Sequence, residues 1–352
     1  MARGWPVVRL RRHIQAGFFF WTAFIGTLFA LWAFAHMRGK TPPVPRPAGV
    51  DGFLPISALM SLRLWLAGGG VHPVHPAALA ILLGAMAMSW VVARSFCSHL
   101  CPVGAVSEWL GRLGRKLLGK TWELPRLLDV PLRGLKWLLS GFFVWATWFS
   151  MSLAQVKAFL DSPYNRVADV KLLLFFAEPS RITVAVLGVL VVASILVRDF
   201  WCRYLCPYGA LVGVFGRFAL WRIRREPATC TDCRRCTKVC PARLPVHALE
   251  VVRSGECTGC QDCVAACPVN GCLRLAGPGK LALRPAHGVL LAFGVYLAIT
   301  GAFRLAGHWR GAVTEVEYAR RLPEIHSPLY THVGGMAGAE LPTGPPELAP
   351  AH

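Results

Sequence analysis

Acidic side chains are scarce in this chain. Its 352 residues carry 18 Asp and Glu against 38 Lys and Arg, and charged residues of both signs make up only 16% of it. No paired carboxylates occur inside the long apolar runs, which excludes acid–base chemistry of that kind there. No GxGxxG follows a strand-like segment, and neither a Walker A motif nor a GxSxG elbow occurs. Dinucleotide, nucleotide and serine-hydrolase chemistry therefore have no foothold. CxxCH is absent, and no histidine falls in the middle of an apolar run, so neither a covalent haem nor a transmembrane bis-histidine haem has obvious ligands.

Apolar residues are plentiful, at 55% of the chain. They fall in long blocks rather than in a 3.6-residue stripe, which points to a bilayer. Five spans are expected, at about 17–35, 76–93, 135–153, 181–197 and 286–303, each close to the thickness of the hydrocarbon core. The first run is long for a signal-peptide core and no small-residue cleavage site follows Phe34-Ala35-His36, so a retained anchor is expected. The formal charge of +20 follows the same layout. With the N-terminus inside, the inner segments hold Arg3, Arg9, Arg11 and Arg12, then Arg94, Arg112, Arg115, Lys116, Lys120, Arg126, Arg133 and Lys136, and the many basic residues between Arg198 and Arg284. That is the positive-inside bias, and it argues against nucleic acid as the partner. It also sends every cysteine to a reducing inner face.

Cysteine is abundant, with 13 residues. Eight form two consecutive runs, Cys230-x2-Cys233-x2-Cys236-x3-Cys240-Pro241 and Cys257-x2-Cys260-x2-Cys263-x3-Cys267-Pro268. Each run has the spacing of a bacterial [4Fe-4S] half-site, in which one loop supplies three thiolates and the other half supplies the fourth. One cluster is expected on Cys230, Cys233, Cys236 and Cys267, and the other on Cys257, Cys260, Cys263 and Cys240. Two CxxC pairs also suit a zinc ribbon, but zinc needs four ligands and the doubled pattern offers eight. A disulfide scaffold does not suit this compartment. Cys272 fits no ligand slot and is expected to be a packed free thiol.

An internal repeat accounts for four more cysteines. Cys97-Ser98-His99-Leu100-Cys101-Pro102-Val103-Gly104-Ala105 aligns with Cys202-Arg203-Tyr204-Leu205-Cys206-Pro207-Tyr208-Gly209-Ala210, and Gly111-Arg112 with Gly216-Arg217. Each copy follows a predicted span at its inner end, so the unit is a helical hairpin ending in CxxxCP, used twice. Such duplicated units pack about a pseudo-two-fold axis. The thiols of Cys97, Cys101, Cys202 and Cys206 suit a third iron–sulfur or other soft-metal centre, a redox-active dithiol pair, or packed structural cysteines.

Together these features define an all-α integral membrane protein of about five transmembrane helices, with two repeated hairpins ending in CxxxCP and an inserted small α+β bacterial-type 2[4Fe-4S] ferredoxin domain. The expected divisions are a membrane domain at 1–225, the ferredoxin-like domain at 226–276, the fifth transmembrane helix at 277–305, and an outside polar tail at 306–352 that is disordered at its Pro-rich end.

This layout resembles the membrane-bound polyferredoxins of the NapH, NosR and CcoG group. The local wording is similar to the YccM type of electron-transport protein, in Ser162 to Leu173 (SPYNRVADVKLL), Cys202 to Leu211 (CRYLCPYGAL) and Glu324 to His332 (EIHSPLYTH). The resemblance implies a multi-pass protein of the bacterial cytoplasmic (inner) membrane that moves electrons between the quinone pool and a redox partner protein or reductase complex. Its N-terminus and ferredoxin domain would be cytoplasmic and its C-terminus periplasmic. Nothing here offers room for the outside flavin domain of NosR-like members, and the tail is too short for the additional domain of CcoG-like members.

The expected role is an electron carrier or quinol-linked oxidoreductase subunit rather than a stand-alone enzyme. Two other roles stay open: an assembly or sensing factor using the CxxxCP thiols, and a membrane anchor subunit. Arg234, Arg235 and Lys238, beside the first cysteine run, could tune a cluster or dock an acidic partner. His36, Arg63, His72 and His75, at the outer ends of the first two spans, are candidates for a quinone head-group site.

Overall fold

The computed structural model describes residues 5–119 and 122–331. The tail beyond, including the expected disordered end, lies outside the described residues. Among the described residues, two helices are long and apolar enough to cross a membrane, Val8–Met37 and Pro285–Leu305. Two further crossings exist if each of two bent pairs counts as one span. These are Leu127–Ser150 with Leu153–Asp161, bent by 108°, and Ala168–Ala177 with Arg181–Leu196, bent by 77°. The expected span at 76–93 is a 16-residue helix, Pro76–Val91. It is apolar all round and therefore occupies the centre of the bundle. It packs against Pro285–Leu305, Pro55–Leu64 and Pro207–Arg217.

The outer helices turn apolar side chains away from the protein. Phe20 is 65% exposed, Leu138 72%, Ile182 77% and Val189 67%. So much exposed apolar surface on the flanks of helices marks a membrane protein.

The break after residue 145 has a local cause. A π-helical turn, Ala146–Ser150, ends the first helix, and a new helix starts at once on a capping box. Ser152 Oγ accepts from the Gln155 N–H at 3.2 Å, while Gln155 Oε1 accepts from the Ser152 N–H at 2.7 Å.

Connecting segments gather at two ends of the bundle. At one end, Arg46 donates to Asp169 at 2.8 Å, His75 Nε2 lies 2.7 Å from the Asn165 carbonyl oxygen, and the Lys171 ammonium donates to the Ile325 carbonyl. The segments carrying SPYNRVADVKLL and EIHSPLYTH meet here around Val167, Val170, Ile325 and Tyr330. At the other end, the start of the first helix meets the segments around residues 98, 108 and 262.

The two halves of the repeat exchange partners. Pro102–Leu118, which follows the first CxxxCP, packs on Arg181–Leu196, which precedes the second; Pro207–Arg217 packs on Pro76–Val91. A Cβ on Gly114 would lie 1.9 Å from the Ile195 carbonyl oxygen, and one on Gly216 would lie 3.0 Å from the Arg94 nitrogen. Hydrogen bonds repeat the swap: Trp221 N–H donates to the Val91 carbonyl at 2.9 Å, and Trp122 N–H to the Leu196 carbonyl at 2.9 Å. This is the reciprocal packing expected of units related by a pseudo-two-fold.

A three-stranded antiparallel sheet closes the cysteine-rich unit. Strand Arg222–Arg225 precedes the first run, Leu273–Ala276 follows the second, and Ala282–Leu283 adds an edge. Ile223 opposite Leu275 fixes the register with both side chains buried. Each run ends in a short helix, Arg235–Val239 and Asp262–Ala266, and these two pack together.

Candidate metal centres

Both ferredoxin-type loops use the same backbone device. Two residues beyond the first cysteine, Asp232 and Gly259 have φ of 46° and 62°; four beyond it, Arg234 and Gln261 have φ of 56° and 61°. Non-glycine residues rarely adopt this conformation, and such strain collects at functional loops. It coils each loop so that its three cysteines face a common cavity.

Two cavities result, and they sort the cysteines. One, of about 330 Å³, is walled by Cys230, Cys233, Cys236 and Cys267. The other, of about 360 Å³, is walled by Cys240, Cys257, Cys260 and Cys263. Each thus draws three thiols from one run and the fourth from the other. Cys272, which belongs to neither predicted set, is buried and also borders the first cavity; its thiol donates to the Glu226 carbonyl at 3.7 Å. Among the described residues no group of three or more His, Cys, Asp or Glu side chains stands ready to hold a single metal ion. A four-iron cube carries one thiolate per iron, so its ligands stand apart around a space rather than converging on a point. Eight thiols around two such spaces fit that group.

The electrostatics differ between the cavities. Burial pushes the Cys257 thiol up to about 11, and it likewise raises Cys240 and Cys263. Cys230 moves the other way, because the Asp232 backbone N–H and the Arg225 guanidinium favour its thiolate. Cys233 and its neighbours Arg234 and Arg235 are exposed, so the first cavity opens toward solvent. The second is pressed against the chain that follows helix Pro76–Val91. Arg94 N–H donates to the Cys257 carbonyl at 3.0 Å, and Ser98 Oγ donates to the Thr258 carbonyl at 2.6 Å.

The four CxxxCP thiols come together from both halves of the repeat. Cys97, Cys101 and Cys202 all lie close enough to Cys206 to feel its charge. Cys101 Sγ accepts from the Gly104 N–H at 3.4 Å, and Cys206 Sγ from the Gly209 N–H at 3.3 Å, each capping the helix that follows. Burial raises Cys97 to about 11 and Cys101 to about 12. A third cavity, of about 600 Å³, is bounded by Cys97 and Cys202 on one side and by Cys260 and Thr258 on the other.

Comparison with known proteins bears on each of these places. A family model described as a 4Fe-4S binding domain matches residues 74–121 and again 182–226, the two CxxxCP copies, and a 4Fe-4S dicluster domain matches residues 222–268. YccM of Escherichia coli (strain K12), a protein named for electron transport, is 40% identical over 316 residues, 88% of each chain. The chain belongs to the iron–sulfur electron-transport family of YccM. The methylamine utilization ferredoxin-type protein MauN of Methylorubrum extorquens is 30% identical to this YccM-family chain over 246 residues, 67% of it and 74% of MauN. The regulatory protein NosR of Stutzerimonas stutzeri is 31% identical over 147 residues, 41% of this chain and 19% of NosR. No solved structure matches.

Sequence reasoning missed two buried cations in this YccM-family chain. Arg94 and Lys136 counted only as inner-surface charge, yet both are buried. Lys136 Nζ lies 2.5 Å from Glu256 Oε2 and Arg94 Nη1 lies 3.8 Å from the same oxygen, so one carboxylate faces two cations beside the CxxxCP thiols. Arg94 stands three residues before Cys97, which was the one available signal. The candidate quinone residues are held by separate partners. His36 Nε2 lies 2.9 Å from Glu315, and His72 Nε2 lies 3.2 Å from Asp161. His75 Nδ1 lies 3.2 Å from Asp51, itself paired with Arg46. Arg63 donates to the carbonyls of Thr147 at 2.6 Å and Met151 at 2.7 Å, clamping the helix break.

Proposed function

We propose that this chain is a multi-pass inner-membrane protein that relays electrons between the quinone pool and a redox partner protein or reductase complex at the cytoplasmic face. Two [4Fe-4S] clusters are assigned to Cys230, Cys233, Cys236 and Cys267, and to Cys257, Cys260, Cys263 and Cys240. The observation that carries this reading is the crossed sorting of eight cysteines around two cavities. Bound there, such clusters supply one-electron chemistry.

The chain's own residues set the conditions. Arg225 and the Asp232 N–H favour a thiolate at Cys230. Exposed Arg234 and Arg235 offer a cationic face to an acidic partner. A third thiolate centre at Cys97, Cys101, Cys202 and Cys206 is favoured over a dithiol pair. Burial leaves Cys97 and Cys101 with almost no thiolate at neutral pH, so they are poor at disulfide exchange. A metal would deprotonate them outright, and Arg94 and Lys136 stand ready to balance the resulting negative charge.

The alternation of connecting segments between the two ends supports five crossings. In this arrangement the N-terminus and the cysteine-rich unit are cytoplasmic, and the chain after Leu305 is periplasmic. Among the four candidate quinone contacts His72 is favoured, because its Nδ1 is buried without a protein partner.

Oxygen-free purification with iron and acid-labile sulfide counting tests the proposal. About eight irons per chain are expected, or about twelve with the third centre filled. Cluster reduction on adding a quinol analogue tests the quinone link. A colourless chain without iron overturns the assignment.

A further inference from the structure

A large cleft lies apart from the thiol-walled cavities, with Cys240 the one assigned ligand among the residues that border it. It is open to solvent and spans about 1950 Å³ between the cysteine-rich unit and the inner ends of the helices. Three candidate membrane-crossing segments deliver their same-side ends to it. Arg12 comes from the start of Val8–Met37, Asp129 and Arg133 from the start of Leu127–Ser150, and Arg198 from just past Arg181–Leu196. The opposite wall contributes Lys238, and Arg115 comes from helix Pro102–Leu118.

The acids in this wall are already engaged. Asp129 is bound by Arg133 at 2.6 Å and Arg203 at 2.9 Å; Asp262 lies 3.6 Å from Arg11, and Glu123 3.9 Å from Arg243. Among the described residues, Arg12, Arg115 and Lys238 have no ion-pair partner. Burial holds Arg115 below the usual guanidinium range, and the charge of Arg198 adds to that effect. Beside the cleft, Leu117 is 66% exposed, Trp122 57% and Leu127 88%. A cationic pocket at helix ends, continued by exposed apolar side chains, matches an amphiphilic anion better than a soluble acidic protein.

We propose that this cleft binds an anionic phospholipid. Its phosphate sits among Arg12, Arg115 and Lys238, its acyl chains run past Leu117, Trp122 and Leu127, and it fastens the cysteine-rich unit to the helices. The inference rests on the membrane placement above but not on metal content.

Native mass spectrometry of the full chain in detergent tests it, with added cardiolipin, phosphatidylglycerol, phosphatidylethanolamine or inorganic pyrophosphate. Retention of cardiolipin or phosphatidylglycerol over phosphatidylethanolamine is expected. Affinity should fall about a hundredfold in Arg12→Gln/Arg115→Gln/Lys238→Gln, from three lost phosphate-facing cations. It should survive in the Lys-for-Arg pair Arg12→Lys/Arg115→Lys and in Arg38→Gln/Lys40→Gln at the other end. Lys238→Gln alone, at an exposed position, gives a severalfold loss even if the triple variant does not fold. Equal retention of phosphatidylethanolamine, pyrophosphate binding as tight as lipid, or lipid affinity unchanged in Lys238→Gln would each overturn the proposal. An iron-free preparation that still retains anionic lipid would sink the cluster assignment and leave this one standing.

Discussion

Lys136 and Glu256 form a buried ion pair, Nζ to Oε2 at 2.5 Å, that joins a membrane helix to the residue just before Cys257. Lys136 is fully buried, and the Glu256 side chain is 16% exposed. Removing Glu256 strands two buried cations, Lys136 and Arg94, in a low-dielectric site, whereas replacing Lys136 as well leaves only Arg94 without a carboxylate.

Glu256→Gln is therefore expected to destabilise the protein by about 3–5 kcal/mol. The double variant Lys136→Met/Glu256→Gln should recover part of that loss, because only Arg94 then lacks a carboxylate. Thermal unfolding in detergent, read by tryptophan fluorescence, measures both. Equal destabilisation of single and double variants would refute the pairing as the source.

Gly114→Ala should be among the most damaging single-methyl changes in this chain. Its new Cβ would meet the Ile195 carbonyl oxygen at 1.9 Å, and a backbone oxygen inside a helix cannot step aside. Gly216→Ala, with 3.0 Å to the Arg94 nitrogen, should be milder but of the same kind. Gly134→Ala has nothing within 4 Å and should be neutral or slightly stabilising through helix propensity. Expression level and melting temperature rank the three.

Acidification should weaken the contact between the first helix and the first CxxxCP helix. Burial alone would raise the Glu108 carboxyl, but the Arg11 hydrogen bonds and charge outweigh it and hold Glu108 down at about 2, against an ordinary 4.5. A depressed carboxyl contributes stability above its unfolded pKa and loses it as pH falls through the folded one. The contribution, on the order of 3 kcal/mol, should be present above about pH 4.5 and vanish toward pH 2. Asp262, raised by burial, works in the opposite sense. Melting temperature against pH for wild type and Glu108→Gln isolates the Glu108 part: the gap should close across that window.

The crossed cavities predict how serine variants will group. Cys240→Ser should match Cys257→Ser in its residual iron and EPR spectrum, and Cys267→Ser should match Cys230→Ser. Cys272→Ser should keep full iron. Pairing by position along the chain instead, Cys240 with Cys230, would mean that the runs are not crossed.

The eight-cysteine pattern and the duplication were legible because both are written in spacing, which survives without knowledge of packing. The apolar runs were legible as runs but not as shapes. Hydropathy over 135–153 does not register that the helix breaks at Ala146–Ser150, although Ser152 and Gln155 spell a capping box just beyond it. The outer segments resisted for another reason. Arg46, Asp51, His75 and Asp169 are scattered over the sequence and join only through tertiary contact. Arg94 and Lys136 were visible as charges, but their burial depends on the partner exchange between the halves, which no single half encodes.

That exchange has a bearing on how the molecule came about and how it is made. Two separate copies of one hairpin, meeting face to face, would form the same pair of contacts, so the arrangement reads as an ancestral homodimer whose subunits were later fused. During synthesis the first hairpin leaves the ribosome with its docking groove empty, and it stays unsealed until the helix ending at Leu196 has been inserted.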